Sequence, residues 1–429
     1  MSLPDFLWRG ISLTGSALAS FLLESVKALL LLLPKARSGV LAKLHASAEA
    51  RKTFAEDLRK LRGRKPLWCH VASAGELEEA IPVLEQLRKD EPGLAVVLTC
   101  FSASGLTAAA REAKRRVTPW DAVGPMAPDL PFLARRFVDE VSPSRALFVH
   151  RELWPWHLRA LARARVPSAL IQVRATRAGR QWSAVAPWLR RFVLVGAVDE
   201  SAASAMRGLL AGAPTSITTL GDARVDRIVG RLALTQNPSG RAVVLASVWP
   251  EDVKALAPAF ASSELRARPL IVVPHEPNVA FIEVIEHELR AAGWALRHGT
   301  ASEPLRASEA EVVTTVGGLA ERYAEACVAF VGGSFRARVH NVLEPAVAGC
   351  TVVTGPLTAN APDAAAMDRE GGLRHVVDAE SFRRLLAEYE DDARLMTARN
   401  AARQYVEQRQ GAGERSATAL RNAWGEIPL

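Results

Sequence analysis

The sequence predicts an α/β protein built from two doubly wound, Rossmann-like domains that face a cleft. Short, continuous apolar segments alternate with amphipathic ones from Leu67 onward. Apolar strands joined by helical crossovers are typical of a parallel sheet that is covered on both faces. The alternation pauses at the polar, turn-rich segment 235–240 and restarts at Ala242, which indicates a second domain.

The predicted strands recur at regular intervals in both domains. In the first domain we predict Leu67–Val71, Leu94–Leu98, Ala146–Val149, Ala169–Val173, Phe192–Val195 and Ile217–Leu220. In the second we predict Ala242–Ala246, Leu270–Val273, Glu311–Thr314, Cys327–Val331 and Thr351–Thr354. The predicted helices between them include Leu77–Arg88, Gly105–Arg116 and Trp154–Arg165. The chain thus divides into an N-terminal segment at 1–65, domains at 66–234 and 235–390, and a charged helical segment at 391–429.

Length and composition limit the class of protein. The chain has 429 residues, which is too many for one ordinary core. It is 49% hydrophobic and 23% charged, which is typical of a folded protein. Its net charge of +8 favours an anionic partner. The four cysteines lie in apolar segments without metal-ligand spacing, so we expect reduced, buried thiols.

The first 65 residues differ from the rest of the chain. Ile11–Pro34 is strongly apolar but contains Glu24 and Lys27. Apolar residues along one helical face favour a helix lying in a membrane interface, and the basic stretch after it suits anionic headgroups on the cytoplasmic side. A buried helix of the first domain is the alternative. Because much of the positive charge lies beside this apolar segment, a membrane surface explains the charge better than nucleic acid does.

Candidate site residues in the first domain follow the strands, because open α/β sheets bind ligands beyond the carboxyl ends of their strands. Ser73 and Gly75 form a tight turn after the first strand, and Glu76 opens the next helix. Glu76 is either a first-turn acid that interacts with the helix dipole or a carboxylate that takes a proton from an acceptor hydroxyl. The next two carboxylates, Glu78 and Glu79, are expected to be solvated.

Further candidates follow later strands of the same domain. Glu152 comes shortly after Ala146–Val149, so two carboxylates are expected on one side of the domain. Trp154 beside it is interpreted as a packing residue. Arg174 and Arg224 each follow a strand, and either guanidinium is a candidate for steadying a phosphate leaving group.

In the second domain the segment from Val331 to Pro356 carries the main signal. A strand breaks into a turn, after which a helix start is predicted at Asn341, with an acid three residues on. The turn and helix N-terminus can cradle a phosphate through backbone N–H groups, or they form an ordinary capped helix. The residues concerned are Gly332, Gly333, Ser334, Asn341, Val342, Leu343 and Glu344.

Other strand ends of this domain contribute weaker candidates. Pro274 and His275 follow one strand, Ser247 follows another, and a histidine, His340, lies in the loop before Asn341. A turn precedes the helix that contains Tyr323, and it consists of Val316, Gly317 and Gly318. The sequence contains no GxxxxGK[ST], HExxH or GxSxG motif and no DxD-like pair after a strand. We therefore expect no catalytic metal and no cofactor.

Together these motifs resemble the 3-deoxy-D-manno-octulosonic acid (Kdo) transferases of lipopolysaccharide synthesis. The resemblance extends from about Leu67 to Asn360 and keeps the family's order and spacing. It rests on the segments WCHVASAGELEEAIPVLEQL, ELWP, GDARVD, FVGGSF and HNVLEPAVAGCTVVTGP.

The resemblance implies a GT-B architecture and an inverting, metal-independent transfer of Kdo from CMP-Kdo to a lipid A precursor. The reaction would take place on the cytoplasmic side of the inner membrane. The family's general base corresponds to Glu76, and its transition-state-stabilising residues correspond to Glu152 and Arg224. CMP contacts correspond to Pro274, His275, Val316, Gly317, Gly318 and Asn341 through Glu344.

The chain departs from the family pattern mainly in the donor half. The family has Pro-Arg-His where this chain has Pro-His-Glu at 274–276, and Met-Gly-Glu where this chain has Val-Gly-Gly at 316–318. It has Ser-Thr-His-Glu where this chain has Ser-Val-Trp-Pro at 247–250, and lysine at the position of Arg224. A relative that uses another nucleotide sugar or acceptor, or a non-catalytic lipid-binding relative, therefore remains an alternative.

Overall fold

The computed structural model describes residues 37–115, 117–174, 185–232, 240–297, 304–315, 318–359 and 361–425, with side chains from residue 49 onward except at residue 115. The predicted interfacial helix at Ile11–Pro34 lies outside these residues. Within the described part of the chain, no helix is long and apolar enough to cross a membrane. The chain forms two compact units. The first comprises residues up to Arg227 and from Gly411 onward, and the second comprises Ile228–Gln410.

The first unit contains a seven-stranded parallel sheet with the order β3-β2-β1-β4-β5-β6-β7. Five of its strands are buried along their whole length, as their apolar sequences predict. The strands are β1 (Leu67–Val71), β2 (Val96–Cys100), β3 (Ala122–Pro125), β4 (Arg145–Val149), β5 (Ser168–Val173), β6 (Leu194–Ala197) and β7 (Ser216–Thr219).

Helices precede β1, follow β7 and lie between most of the strands. They are α1 (Arg37–Lys60), α2 (Ala74–Asp90), α3 (Ala103–Arg115), α4 (Pro131–Val141), α5 (Pro155–Arg163), α6 (Glu200–Leu209) and α7 (Ala223–Leu232). The division between the two units falls within α7.

The second unit contains another seven-stranded parallel sheet, with the order β10-β11-β9-β8-β12-β13-β14. Its strands are β8 (Ala242–Val248), β9 (Leu270–Pro274), β10 (Ala295–Arg297), β11 (Glu309–Val312), β12 (Ala326–Val331), β13 (Thr351–Thr354) and β14 (Leu373–His375). The predicted fold class, two doubly wound α/β domains, is confirmed.

The helices of the second unit vary more in length, and a 3₁₀ turn at Ala257–Ala259 accompanies them. They are α8 (Pro250–Leu256), α9 (Ser263–Arg266), α10 (Val279–Ala291), α11 (Leu319–Tyr323), α12 (Leu343–Val347), α13 (Pro362–Arg369), α14 (Ala379–Glu388) and α15 (Asp392–Glu407). The final helix, α16 (Ala412–Trp424), belongs to the first unit.

A carboxylate at the start of α7 holds α16 in place. The two oxygens of Asp226 accept hydrogen bonds from the backbone N–H groups of Gly411 and Gly413, each at 2.6 Å. A carboxylate at this end of a helix complements the positive end of the helix dipole. Leu420 and Trp424 of α16 are then buried in the core of the first unit. The predicted C-terminal helical segment is therefore two helices, one in each unit.

The latter part of α1 packs on the first sheet. Phe54 is 6% exposed and stacks on Phe137, with 6.5 Å between ring centroids. A Cβ atom at Gly124 of β3 would lie 2.3 Å from the Phe54 ring, so only glycine allows this approach. Part of the basic stretch expected at a membrane surface is thus a helix of the first unit.

Candidate active site

Each sheet has one point at which the strand order changes direction. In the first sheet β1 pairs with β2 on one side and with β4 on the other. In the second sheet β8 pairs with β9 on one side and with β12 on the other. Open α/β sheets bind ligands beyond the carboxyl ends of the strands at such switch points. The candidate sites therefore lie after β1 and β4 and after β8 and β12.

Glu76 lies in the first turn of α2, just after β1. Its Oε2 accepts a hydrogen bond from the backbone N–H of Ala72, and its Oε1 lies 3.8 Å from Nδ1 of His150. Ser73 is the N-cap of α2, and its hydroxyl accepts the backbone N–H of Glu76 at 3.5 Å. The Glu76 side chain is 12% exposed. One carboxylate oxygen is thus held by the backbone, and the other lies towards His150.

The other residue of this turn, Gly75, is exposed. A Cβ atom there would meet only the Ser73 hydroxyl, at 3.9 Å. Packing does not require glycine at this position.

Glu152 follows β4, the strand beside β1. Its Oε2 accepts a 2.8 Å hydrogen bond from Nε1 of Trp154 and lies 3.2 Å from Nε2 of His70. His70 is fully buried on β1, and its Nδ1 lies 2.8 Å from Oγ1 of Thr99. Burial lowers the pKa of His70, and the neighbouring Glu152 opposes that shift. A buried polar network therefore supports the second carboxylate.

Trp154 does more than the packing role that its sequence context predicts. Its ring packs edge-on against His70, with centroids 5.7 Å apart, and against the exposed Phe101 at 5.0 Å. Its indole N–H also binds Glu152. His70 was not among the predicted site residues, and its place between apolar residues of a strand is the sequence signal that marks it.

Arg174 and Arg224 share the carboxylate of Asp222. Arg174 donates to Asp222 at 2.9 Å and to Glu79 at 2.8 Å. Arg224 donates to Asp222 through Nε and Nη2. Arg224 therefore has a carboxylate partner, which offsets part of the charge that it could offer to a phosphate.

The expectation that Glu79 is solvated is wrong. Glu79 is 5% exposed rather than solvated, because its position on α2 faces Arg174. Burial raises the pKa of Glu79, against the effect of the Arg174 charge. Glu78 is also engaged, with its Oε2 2.8 Å from Nε of Arg227.

Gln172 holds the turn that carries Asp222. Its φ is +60° within β5, where the pairing with β6 shifts register. Its side chain donates to the carbonyl of Gly221 at 3.1 Å and accepts from the backbone N–H of Ala223 at 3.2 Å. Such irregularities redirect side chains beside functional sites. The only sign of this role in the sequence is the presence of a glutamine within an apolar strand.

The glycine turn after β12 is organised around Asp252 of α8. This carboxylate accepts the backbone N–H groups of Gly333 at 2.7 Å, Trp249 at 2.9 Å and Phe335 at 3.2 Å. Gly332 donates its own N–H to a carbonyl of β8. Protein oxygens therefore already accept the backbone N–H groups of Gly332 and Gly333, which the sequence pattern offered as possible phosphate donors. Burial raises the pKa of Asp252, and these backbone hydrogen bonds oppose the shift.

The turn requires its small residues. Gly333 has a φ of +86°, and a Cβ atom there would lie 2.1 Å from the carbonyl oxygen of Arg338. The Ser334 side chain is buried, and its hydroxyl donates to the carbonyl of Val331 at 3.2 Å and accepts from the backbone N–H of Gly355 at 2.7 Å. Ser334 therefore joins the ends of β12 and β13.

Rings stack beside this turn at the switch point of the second sheet. The His275 ring lies 4.2 Å from that of His340 and 4.6 Å from that of Trp249. Trp249 donates its indole N–H to Nε2 of His340 at 2.8 Å, and the Arg336 guanidinium lies 4.0 Å above the Trp249 ring. Burial, with smaller effects from His275 and Arg338, lowers the pKa of His340 to about 4. His340 is therefore neutral at pH 7 and accepts the indole N–H.

A cavity of about 260 Å³ lies beside this stack. Its lining is Trp249, Pro250, Glu251, Glu276, Asn278, Phe281 and Arg336. Pro274 is the last residue of β9 and comes shortly before the lining residue Glu276 in the sequence. Ser247, near the end of β8, has a φ of +53°. Several residues at which the chain departs from the family pattern thus lie together.

The helix predicted to start at Asn341 begins later. The Asn341 side chain accepts the backbone N–H of Leu343 at 3.0 Å, but Val342 is the N-cap and α12 starts at Leu343. The predicted helix start at Asn341 is therefore wrong, and Glu344 lies in the first turn of α12. Gly318 is the N-cap of α11, whereas Val316 and Gly317 lie outside the described residues. Among the residues that the structure describes, no group of three or more potential ligands could hold a metal ion.

Comparison with known proteins identifies the family. Residues 43–227 match the family model described as 3-Deoxy-D-manno-octulosonic-acid transferase (kdotransferase). The 3-deoxy-D-manno-octulosonic acid transferase of Bordetella pertussis is 32% identical over 384 residues, which cover 84% of this chain and 88% of that protein. The chain belongs to the Kdo transferase family. A probable mitochondrial Kdo transferase of Arabidopsis thaliana is 27% identical over 67% of this chain and 68% of its own length.

The solved structures similar to this Kdo transferase family member show its fold. The match with the UDP-GlcNAc 2-epimerase of Neisseria meningitidis covers 83% of this chain and 98% of the epimerase chain, with a TM-score of 0.59 and 12% identity. MurG of Acinetobacter baumannii matches 83% of the chain and 99% of its own, with a TM-score of 0.51 and 15% identity. The fold is that of the GT-B glycosyltransferases, in agreement with the two parallel sheets.

Proposed function

We propose that this protein transfers Kdo from CMP-Kdo to a lipid A precursor, with inversion and without a metal ion. Membership of the Kdo transferase family supports the transferred sugar. The observation that carries the proposal is the pair Glu76 and Glu152, which follow the two strands that flank the switch point of the first sheet. Donor, acceptor and stereochemistry follow from the family resemblance.

In the proposed reaction an acceptor hydroxyl oxygen attacks the anomeric carbon of Kdo. The bond from that carbon to the CMP phosphate oxygen breaks, and the hydroxyl proton moves to Glu76. A positioned carboxylate base contributes about 10²- to 10⁴-fold to such a step. Oε1 of Glu76 is the oxygen suited to take the proton, because Oε2 already accepts the Ala72 N–H.

Glu152 and Arg224 are proposed to stabilise charge as the bond breaks. The network of Glu152 with His70 and Trp154 keeps that carboxylate in one orientation. Arg224 would assist the departing phosphate, with its guanidinium oriented by Asp222. An arginine at a position where the family has lysine keeps the charge and changes its geometry.

We further propose that the protein works on the cytoplasmic side of the inner membrane. The apolar segment Ile11–Pro34 and the basic residues after it support this location. A lipid acceptor would then reach the carboxylates from the bilayer surface.

The test is a turnover assay with the purified protein, CMP-Kdo and a lipid A precursor, in the presence of a chelator. We expect release of CMP and a lipid product that is heavier by one or more Kdo residues. Absence of both, from protein that is folded by circular dichroism, would contradict the proposal.

A second candidate is transfer from another nucleotide sugar. The stack of Trp249 with His340 favours it, because the family has Ser-Thr-His-Glu where this chain has Ser-Val-Trp-Pro at 247–250. Thermal shift with cytidine, uridine and guanosine nucleotides separates the two candidates. Stabilisation by CMP supports the first, and stabilisation by a uridine or guanosine nucleotide alone supports the second.

A further inference from the structure

A chain of four polar contacts runs through the first sheet to Glu152. Nε1 of Trp68 donates to Oγ1 of Thr99 at 2.8 Å, and the same hydroxyl lies 2.8 Å from Nδ1 of His70. Nε2 of His70 lies 3.2 Å from Oε2 of Glu152, which also accepts from Trp154. Trp68, His70 and Thr99 are fully buried. Bulk solvent therefore does not reach these three side chains.

The donors and acceptors of this chain fit one arrangement. The Trp68 indole can only donate, so the Thr99 oxygen accepts there. The Thr99 proton has two acceptors within reach, the carbonyl of Cys69 at 3.5 Å and Nδ1 of His70 at 2.8 Å, and the shorter contact favours His70. With Nδ1 accepting, a neutral His70 carries its proton on Nε2 and donates it to Glu152. This assignment satisfies every polar atom of the buried ring, as buried polar groups require.

The arrangement leaves one oxygen of Glu152 for the reaction. Oε2 receives two donors, from His70 and Trp154. Oε1 accepts no hydrogen bond from the described residues, and the Glu152 side chain is 13% exposed. Two donors on one oxygen restrict rotation of the carboxylate, so Oε1 keeps one direction.

We propose that His70, held in its Nε2–H tautomer by Thr99, is the positioning residue for Glu152. This inference rests on the proposed glycosyl transfer and deepens it. His70 touches no reacting atom and acts only through the Glu152 carboxylate.

The kinetic test uses His70→Phe, which keeps a buried ring and removes the donor. We expect kcat for CMP release to fall about 10- to 100-fold, the usual effect of losing a hydrogen bond to a charged group, with KM changed less than threefold. His70→Gln, which restores an N–H donor, should recover most of the lost kcat. A His70→Phe variant with kcat within threefold of wild type would overturn the proposal.

The matched control is His157→Phe. His157 is also fully buried and its ring contacts Trp68, but it binds Asp129 rather than Glu152. We expect this variant to lose stability and to keep kcat per folded molecule. An equal loss of kcat in both histidine variants would show a merely structural effect and overturn the proposal.

A second measurement does not depend on turnover. Imidazole ¹⁵N shifts distinguish protonated from unprotonated ring nitrogens, and the His70→Phe spectrum assigns the His70 signals. We expect an Nε2–H tautomer in the wild type and a mixture in Thr99→Val, with Thr99→Ser restoring the single form. An Nδ1–H tautomer in the wild type overturns the inference. If the wild type instead shows no CMP release, the proposed function fails while this spectrum still decides the arrangement of His70.

Discussion

Asp222 is the residue on which the charges beside β5 and β7 depend. It is contacted by two guanidinium groups, those of Arg174 and Arg224, and its side chain is 12% exposed. Burial opposes its ionisation, but the hydrogen bonds and charge of Arg224 and the charge of Arg174 outweigh burial and hold the pKa at about 2. Asp222 therefore stabilises the folded state as an anion.

The pH dependence of stability follows from this depressed pKa. The Asp222 contribution is fully present above the unfolded-state pKa of about 4 and is lost as pH falls towards 2, and it amounts to about 2 kcal/mol. We expect Asp222→Asn to lower the free energy of unfolding at pH 7. It should also reduce the loss of stability between pH 4 and 2. Urea unfolding of both proteins across this range measures the effect, and equal pH dependence would contradict it.

Single residues also show how far sequence reasoning extends at the site. Glu76 and Glu152 were recognisable because each acid closely follows an apolar strand. His70, Thr99 and Gln172 were not recognised, because their roles come from neighbours distant in sequence. Thr99 lies 29 residues from His70 along the chain, and Glu152 lies 82 residues from it. Only strand pairing brings these groups together.

At the scale of elements, the central strands and the edge strand β7 were predictable, whereas the other three edge strands were not. Leu67–Val71 and Thr351–Thr354 match β1 and β13, because continuous burial requires continuous apolar sequence. The three missed strands are short, with three or four residues each, and all of them lie at sheet edges. They are β3, β10 and β14. Partly exposed edges need no apolar run, so their sequences give little signal.

Helix packing gives a prediction that opposes helix propensity. Replacing glycine by alanine in an exposed helix usually stabilises it by about 0.5–1 kcal/mol. At Gly413 of α16 the new Cβ atom would lie 3.0 Å from the carbonyl oxygen of Pro82, whereas at Gly208 of α6 nothing lies within 4 Å. We expect Gly208→Ala to raise the melting temperature and Gly413→Ala to lower it. A stabilising Gly413→Ala would show that α16 does not pack closely on α2.

At the scale of the whole molecule, one of the two units is built from two separate segments of the chain. The second unit is one continuous segment, Ile228–Gln410, whereas the first unit is completed by residues from Gly411 onward. Sequence alternation predicted both sheets, but it could not show where the last helix packs. That position depends on Asp226, whose carboxylate accepts from backbone groups almost two hundred residues later.

Separate cores predict separate responses to cavities. Leu420 in α16 is fully buried in the first unit, and Leu385 in α14 is 3% exposed in the second. Each Leu→Ala change should cost about 2–5 kcal/mol in its own unit. Hydrogen exchange should therefore accelerate in β1, β2 and β4 for Leu420→Ala and in β8, β9 and β12 for Leu385→Ala. Acceleration of the same strands by both changes would contradict the division.

We propose that Glu76 is the base of a Kdo transfer, and one pair of variants tests this role most directly. Glu76→Gln keeps the size of the side chain and removes the base, and Glu140→Gln changes an exposed carboxylate at the end of α4. We expect CMP release from CMP-Kdo and a lipid A precursor to fall about 10²- to 10⁴-fold in Glu76→Gln and to stay unchanged in Glu140→Gln. Full activity of a folded Glu76→Gln protein would contradict the account.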